Sequence, residues 1–306
     1  MRPRVARGAV RCVVASELRL GVGAAARRRR AYPRRVIREP HALLSRRRFP
    51  GPARSADPRR TRFVGQAEFD GAIAAFSLPR PVAAALLPPG VELAWSPDGG
   101  AHPVIYLFGD QRAGTVLVGG QELPLDIDYP EVGLCVPFVT VGSDKYLHTC
   151  VAFMATPHAG AAWSGDRLYG YAKVEREIHR DGDTLCVADA SGRVESVATA
   201  RATGAPMLPA AGRMPEGLAA ICEMFALPIV GRNRSGLIAS YFAWNLAGAA
   251  FRSTEVTLTT EVPSLASMPI GTLRALPGAA FEVRGMRWRV SWPESLAPDR
   301  GSAGHI

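Results

Sequence analysis

Residues 128–141, DYPEVGLCVPFVTV, contain the clearest structural signal in this sequence. Their second part, residues 134–141, is a continuous apolar run that has the length of one buried β-strand. Asp181-Gly182 and Ser191-Gly192 have the composition of turns and lie between further runs of the same kind. Those runs cover residues 104–108, 146–155, 185–190 and 194–203. The sequence therefore predicts a series of short strands joined by turns.

Two later segments show the alternation of a strand with two different faces. In residues 254–262, the positions from Val256 to Val262 alternate between apolar and polar side chains. In residues 281–292, the alternation changes phase at Gly285. One extra residue at a glycine predicts a β-bulge at this position.

Helical patterns are few and short. Residues 81–87 begin with proline and stop before Pro88-Pro89, and residues 215–227 repeat apolar side chains at helical spacing before Pro228. Many short strands and few short helices predict a single β-rich α+β domain, built on a curved antiparallel sheet or a closed or cone-like β-barrel.

The positive charge of the chain lies in its first part. The formal net charge is +10, but residues 1–62 contain 19 Arg and three acidic residues, so they carry +16 and the remainder carries −6. We therefore predict that residues 1–62 are an Arg-rich disordered extension and that residues 63–306 form the folded domain. Basic targeting or nucleic-acid binding stays an alternative for the extension only, and nucleic acid is not expected as a partner of the domain.

Several classes of protein are excluded by missing patterns. No apolar run is long enough for a transmembrane helix, and there is no nucleophile elbow, no phosphate-binding loop and no HExxH zinc motif. The five cysteines are widely spaced without a CxxC pair, which indicates neither a disulfide framework nor a zinc site. We expect a cytoplasmic protein without a metal site.

Two segments contain the residues that could carry chemistry. The first, residues 128–133, contains Glu131; the second is LYGYAKVE, residues 168–175. Of the 37 basic residues, only Lys145 and Lys173 are lysines. Because arginine cannot be deprotonated in proteins, a retained lysine points to chemistry that needs a free amine.

These segments resemble the acetoacetate decarboxylase family over residues 65–292. The family has an acidic-aromatic-x-Glu-x-Gly segment before a strand, a strand with His near its start, and a lysine about forty residues after the Glu. Here Glu131 takes the position of the family's active-site Glu, Tyr146-Leu147-His148-Thr149 lies on the following strand, and Lys173 takes the position of the Schiff-base lysine. The segment LLPPGVEL, residues 86–93, is similar to the family's early helix-then-proline segment.

The resemblance implies a Schiff-base lyase that decarboxylates a β-keto acid through a lysine iminium. Lys173 and Glu131 would be the catalytic residues, and Tyr171, His148 and Cys150 would bind substrate. The lysine itself supplies the electron sink, so no cofactor is expected. An apolar pocket disfavours the ammonium form of the lysine, and Leu168, Tyr169, Tyr171 and Val174 are expected to supply it. The family also implies an oxo-acid substrate and a homo-oligomer.

The sequence departs from the family pattern at three positions. Val174 replaces the second lysine of a Lys-Lys pair, and Ala172 replaces the proline before it. The arginine that holds the substrate carboxylate in the family corresponds to Ser77. Its substitutes could be Arg80, Arg112 or Arg167.

These departures leave two alternatives open. One is a lysine-imine aldolase or dehydratase that acts on oxo acids. The other is a non-catalytic barrel of the same fold that binds a small ligand.

Overall fold

The structure is a computed structural model that describes residues 43–54, 61–96, 99–119, 121–142, 144–208, 214–260 and 271–296. The first 42 residues and residues 55–60, most of the predicted extension, lie outside the described residues. No helix within the described ranges is both long and apolar enough to cross a membrane.

Strands make up most of the described chain. They are β1 (Phe63–Pro79), β2 (Val91–Leu93), β3 (Ala101–Val118), β4 (Gln121–Pro124), β5 (Tyr129–Val141), β6 (Asp144–Thr156), β7 (Lys173–Glu175), β8 (Glu177–Asp181), β9 (Thr184–Ala188), β10 (Val194–Ala202), β11 (Ile229–Asn233), β12 (Gly236–Ser240), β13 (Phe242–Asn245), β14 (Ala250–Thr260), β15 (Gly271–Arg274), β16 (Ala280–Ser291) and β17 (Glu294–Ser295). The helices are α1 (Arg80–Ala85), α2 (Ala159–Arg167) and α3 (Glu216–Phe225), and a 3-10 turn covers Arg46–Arg48. The β-rich α+β prediction is confirmed.

The strands form one curved sheet. Antiparallel pairing connects β16 to β1, β1 to β3, β3 to β5 and β5 to β6, and β6 then pairs in parallel with both β7 and β11. Strand β11 pairs antiparallel with β12, and β12 pairs antiparallel with β17. The predicted curved sheet is therefore confirmed, and its closure into a barrel stays a prediction.

Both faces of the sheet are buried, because successive side chains along its strands belong in turn to two apolar clusters. One cluster contains Phe76, Tyr106 and Leu134, together with apolar residues of β9, β10 and β14 that cover this face. The other contains Ile105 and Cys135, and helix α3 covers it with one apolar stripe. Burial on both sides explains why β5 reads as a continuous apolar run in the sequence.

The predicted β-bulge in β16 is confirmed. Phe69 pairs with Met286 and Gly71 pairs with Val283, so two residues of β16 lie opposite Asp70. Gly285 is one of them; its φ of 70° lies in the left-handed region that favours glycine. Its backbone N–H donates to Asp70 Oδ1 at 2.7 Å.

Candidate active site

Neighbouring strands bring Lys173 and Glu131 onto one face of the sheet. Lys173 begins β7 and pairs with Met154 of β6, and Met154 pairs with Gly133 of β5. Glu131 lies two residues before Gly133 and therefore points to the same face. A Cβ at Gly133 would lie 3.3 Å from Leu107 Cγ, so the absence of a side chain there lets Leu107 pack against β5.

The two side chains form a buried ion pair. Lys173 Nζ donates a hydrogen bond to Glu131 Oε2. Lys173 is 8% exposed and Glu131 is 3% exposed. Buried charges are seldom left without a partner, and here each one neutralises the other. The pair therefore places a primary amine beside a proton acceptor, with little exposure of either group to bulk water.

A second hydrogen bond holds Glu131 from the opposite side. Gln111 Nε2 donates to Glu131 Oε1 at 3.0 Å, and Trp288 Nε1 donates to Gln111 Oε1 at 2.9 Å. Because an indole N–H can only donate, it determines which end of the Gln111 amide faces it. The amide nitrogen must then face the carboxylate. Both Glu131 oxygens therefore have a donor.

The ion pair lies in a cavity of about 150 Å³. Apart from Lys173 and Glu131, every described side chain that lines the cavity is uncharged. The lining consists of Phe69, Ile73, Leu107, Gln111, Tyr129, Glu131, Cys135, Val151, Met154, Ala161, Ser164, Gly165, Tyr169, Tyr171, Lys173, Phe225, Ile229, Phe242, Trp244, Met286, Trp288 and Val290. A small, mostly apolar cavity with a few convergent polar groups is typical of a small-molecule site.

The acidic groups next to the pair stay protonated. Lys173 Nζ lies 5.3 Å from the centroid of the Tyr129 ring, in position for a cation–π contact. Burial raises the pKa of Tyr129, and the charge of Glu131 raises it further. Burial and the same charge raise the pKa of the Cys135 thiol to about 12, and burial raises the pKa of Tyr169 to about 12.

The chain reaches Lys173 through a tight turn after α2. Gly170 has a φ of 64°, and a Cβ there would lie 2.5 Å from the backbone nitrogen of Arg232, so glycine is required on both counts. Ala172 has a φ of 46°, a conformation that the proline ring cannot adopt. The replacement of the family's proline by alanine at this position is therefore consistent with the backbone found here.

Some of the expected pocket residues lie in the cavity and others do not. Tyr169 and Tyr171 line it, and the Tyr171 hydroxyl is hydrogen-bonded to Ser240 Oγ. Val174 and Leu168 are not among the lining residues, contrary to expectation. Val174 packs against the cluster on the opposite face, because successive residues of β7 alternate between faces. A second lysine at position 174 would therefore point away from Lys173.

His148 and Cys150 lie outside the set of lining residues, so the structure does not bring them together with Lys173 and Glu131. His148 Nδ1 is 3.0 Å from the Tyr146 carbonyl oxygen and Nε2 is 3.5 Å from Asp144 Oδ2. Burial lowers its pKa. Cys150 belongs to the cluster on the opposite face, where burial raises its pKa, and its neighbour Val151 lines the cavity. The alternation of β6 explains this arrangement.

The three candidate arginines have other partners. Arg80 donates to the carbonyl oxygens of Leu93 and Ala94 at 2.9 and 2.7 Å. Arg112 pairs with Asp70 at 3.1 Å, and Arg167 pairs with Asp166 at 3.4 Å. None of the three, nor Ser77, is among the lining residues.

Three contributors to the cavity were not predicted from the sequence. Gln111 has no motif around it, and its role depends on pairing between β3 and β5. Trp288 belongs to the alternating pattern of residues 281–292, and that pattern does not indicate its hydrogen bond to Gln111. Helix α2 has small residues and two glycines, and it is capped by His158 Nδ1, which accepts from the Ala161 N–H at 3.1 Å. Histidine is an uncommon cap, so the helix start was not recognised.

Within the described ranges, no cluster of three or more His, Cys, Asp or Glu side chains could bind a metal ion. The cavity presents the Lys173 amine, and the Glu131 carboxylate lies beside it where it can accept or return a proton. The phenols of Tyr129 and Tyr169 stay neutral near pH 7.

Comparison with known proteins finds similarity among solved structures only. No protein-family profile matches the chain, and no curated protein matches it by sequence. The similar structures include acetoacetate decarboxylase from Legionella pneumophila subsp. pneumophila str. Philadelphia 1, with 14% identity, a TM-score of 0.48, and coverage of 82% of this chain and 89% of that one. An acetoacetate decarboxylase-like enzyme from Sphingomonas wittichii RW1 has 14% identity and a TM-score of 0.48, over 75% of this chain and 91% of that one.

A third similar structure is the enduracididine biosynthesis enzyme MppR complexed with the condensation product of pyruvate and imidazole 4-carboxaldehyde. It has 14% identity and a TM-score of 0.47, over 80% of this chain and 98% of that one. Two of these three structures are described as an acetoacetate decarboxylase and an acetoacetate decarboxylase-like enzyme, which is the family that the sequence resembles.

Proposed function

We propose that the protein is a Schiff-base-forming lyase in which Lys173 is the nucleophile and Glu131 moves the protons. The observation that carries this proposal is a buried primary amine paired with a buried carboxylate in a cavity whose other described lining side chains are uncharged. Imine chemistry needs an unprotonated amine at the moment of attack. A carboxylate in hydrogen-bond contact with that amine can take up its proton.

The proposed steps keep atoms and charge in balance. Lys173 transfers one proton to Glu131, and the neutral amine adds to the substrate carbonyl carbon, so that a C–N bond forms. The resulting hydroxyl group leaves as water, taking the proton back from Glu131. The product is an iminium cation beside a carboxylate, and the iminium withdraws electrons from the bond next to the former carbonyl carbon.

Two bond cleavages can follow the iminium. In the decarboxylation predicted from the sequence, the iminium of a β-keto acid loses carbon dioxide, and the enamine carbon that results takes up a proton from solvent by way of Glu131. In a retro-aldol reaction, the β-hydroxyl proton moves to Glu131, an aldehyde leaves, and Glu131 returns the proton to the enamine carbon. In both reactions water then adds to the iminium carbon and the C–N bond to Lys173 breaks, which releases the carbonyl product and restores the amine. The second reaction needs no anchor for a substrate carboxylate, and no arginine is among the described residues that line the cavity. That observation favours the aldolase-type reaction.

Covalent trapping tests the proposal. The protein is incubated with acetoacetate, pyruvate or a neutral ketone, reduced with borohydride, and digested for mapping by mass spectrometry. We expect the reduced adduct on Lys173. Lys173→Arg keeps the positive charge but cannot form an imine, so its adduct should be absent, whereas Lys145→Arg changes the exposed lysine and should leave the Lys173 adduct unchanged.

The same experiment distinguishes the alternatives. If no carbonyl compound forms an adduct, both enzyme reactions are contradicted. The non-catalytic barrel that binds a small ligand is then the remaining alternative. An adduct accompanied by faster release of carbon dioxide from acetoacetate supports decarboxylation. An adduct without such release supports the aldolase-type reaction.

The assembly and the location of the protein stay proposals as well. The family resemblance implies a homo-oligomer, which light scattering of the purified chain can test. The cytoplasmic location expected from the sequence can be tested by cell fractionation. If the protein is a monomer in solution, the homo-oligomer expectation is wrong, and the chemistry proposed for Lys173 is unaffected.

A further inference from the structure

We propose that the substrate of this site is an uncharged ketone or aldehyde that carries an aromatic or other flat apolar substituent, rather than an oxo acid. This inference rests on the proposed imine chemistry and specifies the compounds on which it acts. It differs from the oxo-acid substrate that the sequence resemblance implies.

The charge balance of the cavity supports an uncharged substrate. Lys173 and Glu131 are the only charged side chains among the described residues that line the cavity, and their charges cancel. The proposed steps conserve this balance, since the iminium replaces the ammonium as the partner of the carboxylate. The carboxylate of an oxo acid would add one negative charge that no described lining residue neutralises. Burying an uncompensated charge in apolar surroundings is costly.

Several of the polar groups that line the cavity already donate hydrogen bonds within the protein. The Gln111 amide nitrogen and the Trp288 indole N–H already donate to Glu131 and Gln111. Ser164 Oγ donates to the Ala161 carbonyl oxygen at 3.2 Å. Trp288 and Ser164 would have to break these bonds before they could bind a substrate carboxylate. The remaining donors, which include the second N–H of Gln111 and the hydroxyls of Tyr129 and Tyr169, carry no positive charge to balance it.

An aromatic wall along one side of the cavity indicates the kind of substituent. Phe242 stacks on Trp244 with ring centroids 5.7 Å apart and contacts Trp288 at 5.5 Å, and Trp244 contacts Phe225 at 5.1 Å. Phe242, Trp244 and Trp288 are partly exposed, whereas Lys173 is buried. A molecule that reaches the amine from solvent therefore has flat apolar surface beside it, which suits an aromatic ring.

Matched pairs of carbonyl compounds test the proposal. One pair is methyl acetoacetate and acetoacetate, which differ by an ester group in place of the carboxylate. The other is benzylacetone and para-carboxybenzylacetone. The full chain is incubated with each compound at equal concentration and reduced with cyanoborohydride, and the adduct on Lys173 is quantified. The exposed Lys145 of the same protein reports the intrinsic reactivity of each compound.

We expect the neutral member of each pair to give about tenfold or more adduct on Lys173 than its carboxylate, relative to Lys145, since one buried charge without a partner reduces binding by at least that factor. Equal or greater labelling by the carboxylates would overturn the inference and leave the imine chemistry intact. No adduct on Lys173 with either member would instead contradict the proposed function itself.

Trp244→Ala tests the aromatic wall. We expect the ratio of benzylacetone adduct to methyl acetoacetate adduct on Lys173 to fall by about fivefold or more, because loss of a stacking partner affects only the aromatic compound. Both compounds are measured on the same protein, so a smaller folded fraction does not change their ratio. Trp95→Ala, at a tryptophan that is 66% exposed and outside the cavity, should leave the ratio unchanged. An unchanged ratio in Trp244→Ala would contradict the role assigned to the wall.

Discussion

At the scale of single residues, the candidate site depends on the orientation of one amide. The Gln111 side chain can support the Glu131 carboxylate only if its nitrogen points toward it. The Trp288 N–H enforces this orientation because it occupies the amide oxygen. Without that donor, the amide oxygen has lost its partner, and the hydrogen bond to Glu131 alone holds the Gln111 side chain in place.

Trp288→Phe therefore tests Trp288 as a positioning residue. The substitution keeps an aromatic ring in the wall and removes the N–H group. We expect the saturating rate of α-proton exchange of benzylacetone in deuterated water to fall by about twofold to tenfold, the range for loss of one hydrogen bond. The half-saturating concentration should stay the same.

Trp244→Phe is the matched control for this prediction. It also keeps a ring and removes an indole N–H, but that N–H donates to the Phe225 carbonyl oxygen rather than to Gln111. Its exchange rate should exceed that of Trp288→Phe. If the two variants lose equal activity, the orientation of the Gln111 amide is not what matters.

At the scale of elements, helix α2 supports the reactive lysine by close packing. A Cβ at Gly165 would lie 2.5 Å from Lys173 Cδ and 2.9 Å from its Cβ. The aliphatic part of the lysine therefore packs directly on the helix backbone. The absence of a side chain at this position allows β7 and α2 to approach each other and holds Nζ next to Glu131.

Gly165→Ala should displace Lys173. An alanine in a helix usually stabilises it by about 0.5–1 kcal/mol relative to glycine, so a loss of stability here would report the contact with the lysine. We expect the yield of reduced adduct on Lys173 to fall by about tenfold, since a displacement of about 1 Å has large effects on reacting groups. Mass spectrometry and chemical unfolding measure the two effects.

Trp163→Ala provides the control on the same helix. Trp163 is 60% exposed, and it is not among the residues that line the cavity. Its replacement should leave the adduct yield unchanged. If Gly165→Ala gives full yield and increased stability, the packing of α2 on the lysine has no influence on its position.

At the scale of the whole molecule, the described residues before β1 pack against the body. Leu44 is fully buried, and the ring of Phe49 stacks on Phe138 with centroids 4.2 Å apart. The Leu147 N–H donates to the Pro52 carbonyl oxygen at 3.0 Å. Residues 43–54 thus complete the cluster on the cavity side of the sheet.

Two truncations should differ in their effect. Removal of residues 1–42 should leave the free energy of unfolding unchanged, as expected for an Arg-rich extension. Removal of residues 1–54 should lower it by about 3–5 kcal/mol or more, because the loss of one buried Phe alone has an effect of that size. Denaturant unfolding of the two shortened proteins measures the difference. Equal stability of both would show that residues 43–54 contribute nothing to the fold.

The strands and helices could be predicted where their signal is local. The alternation around Val256 corresponds to β14, the phase change at Gly285 corresponds to the bulge, and the apolar spacing from Leu218 to Phe225 corresponds to α3. Helix α2 escaped prediction because its small residues have little apolar periodicity. Side-chain period is a property of the element itself, so it can be read without knowledge of partners.

The sequence alone singled out Lys173, Glu131 and Tyr171 as members of one site. Amine chemistry needs particular residue types, and their order and spacing resemble those of a known family. Only the tertiary structure decided which neighbours face that site: it added Gln111 and Trp288 and placed His148 and Cys150 elsewhere. The physical reason is that strand register and bulges determine the face of the sheet on which each side chain lies. A shift of one residue turns every side chain of a strand to the opposite face.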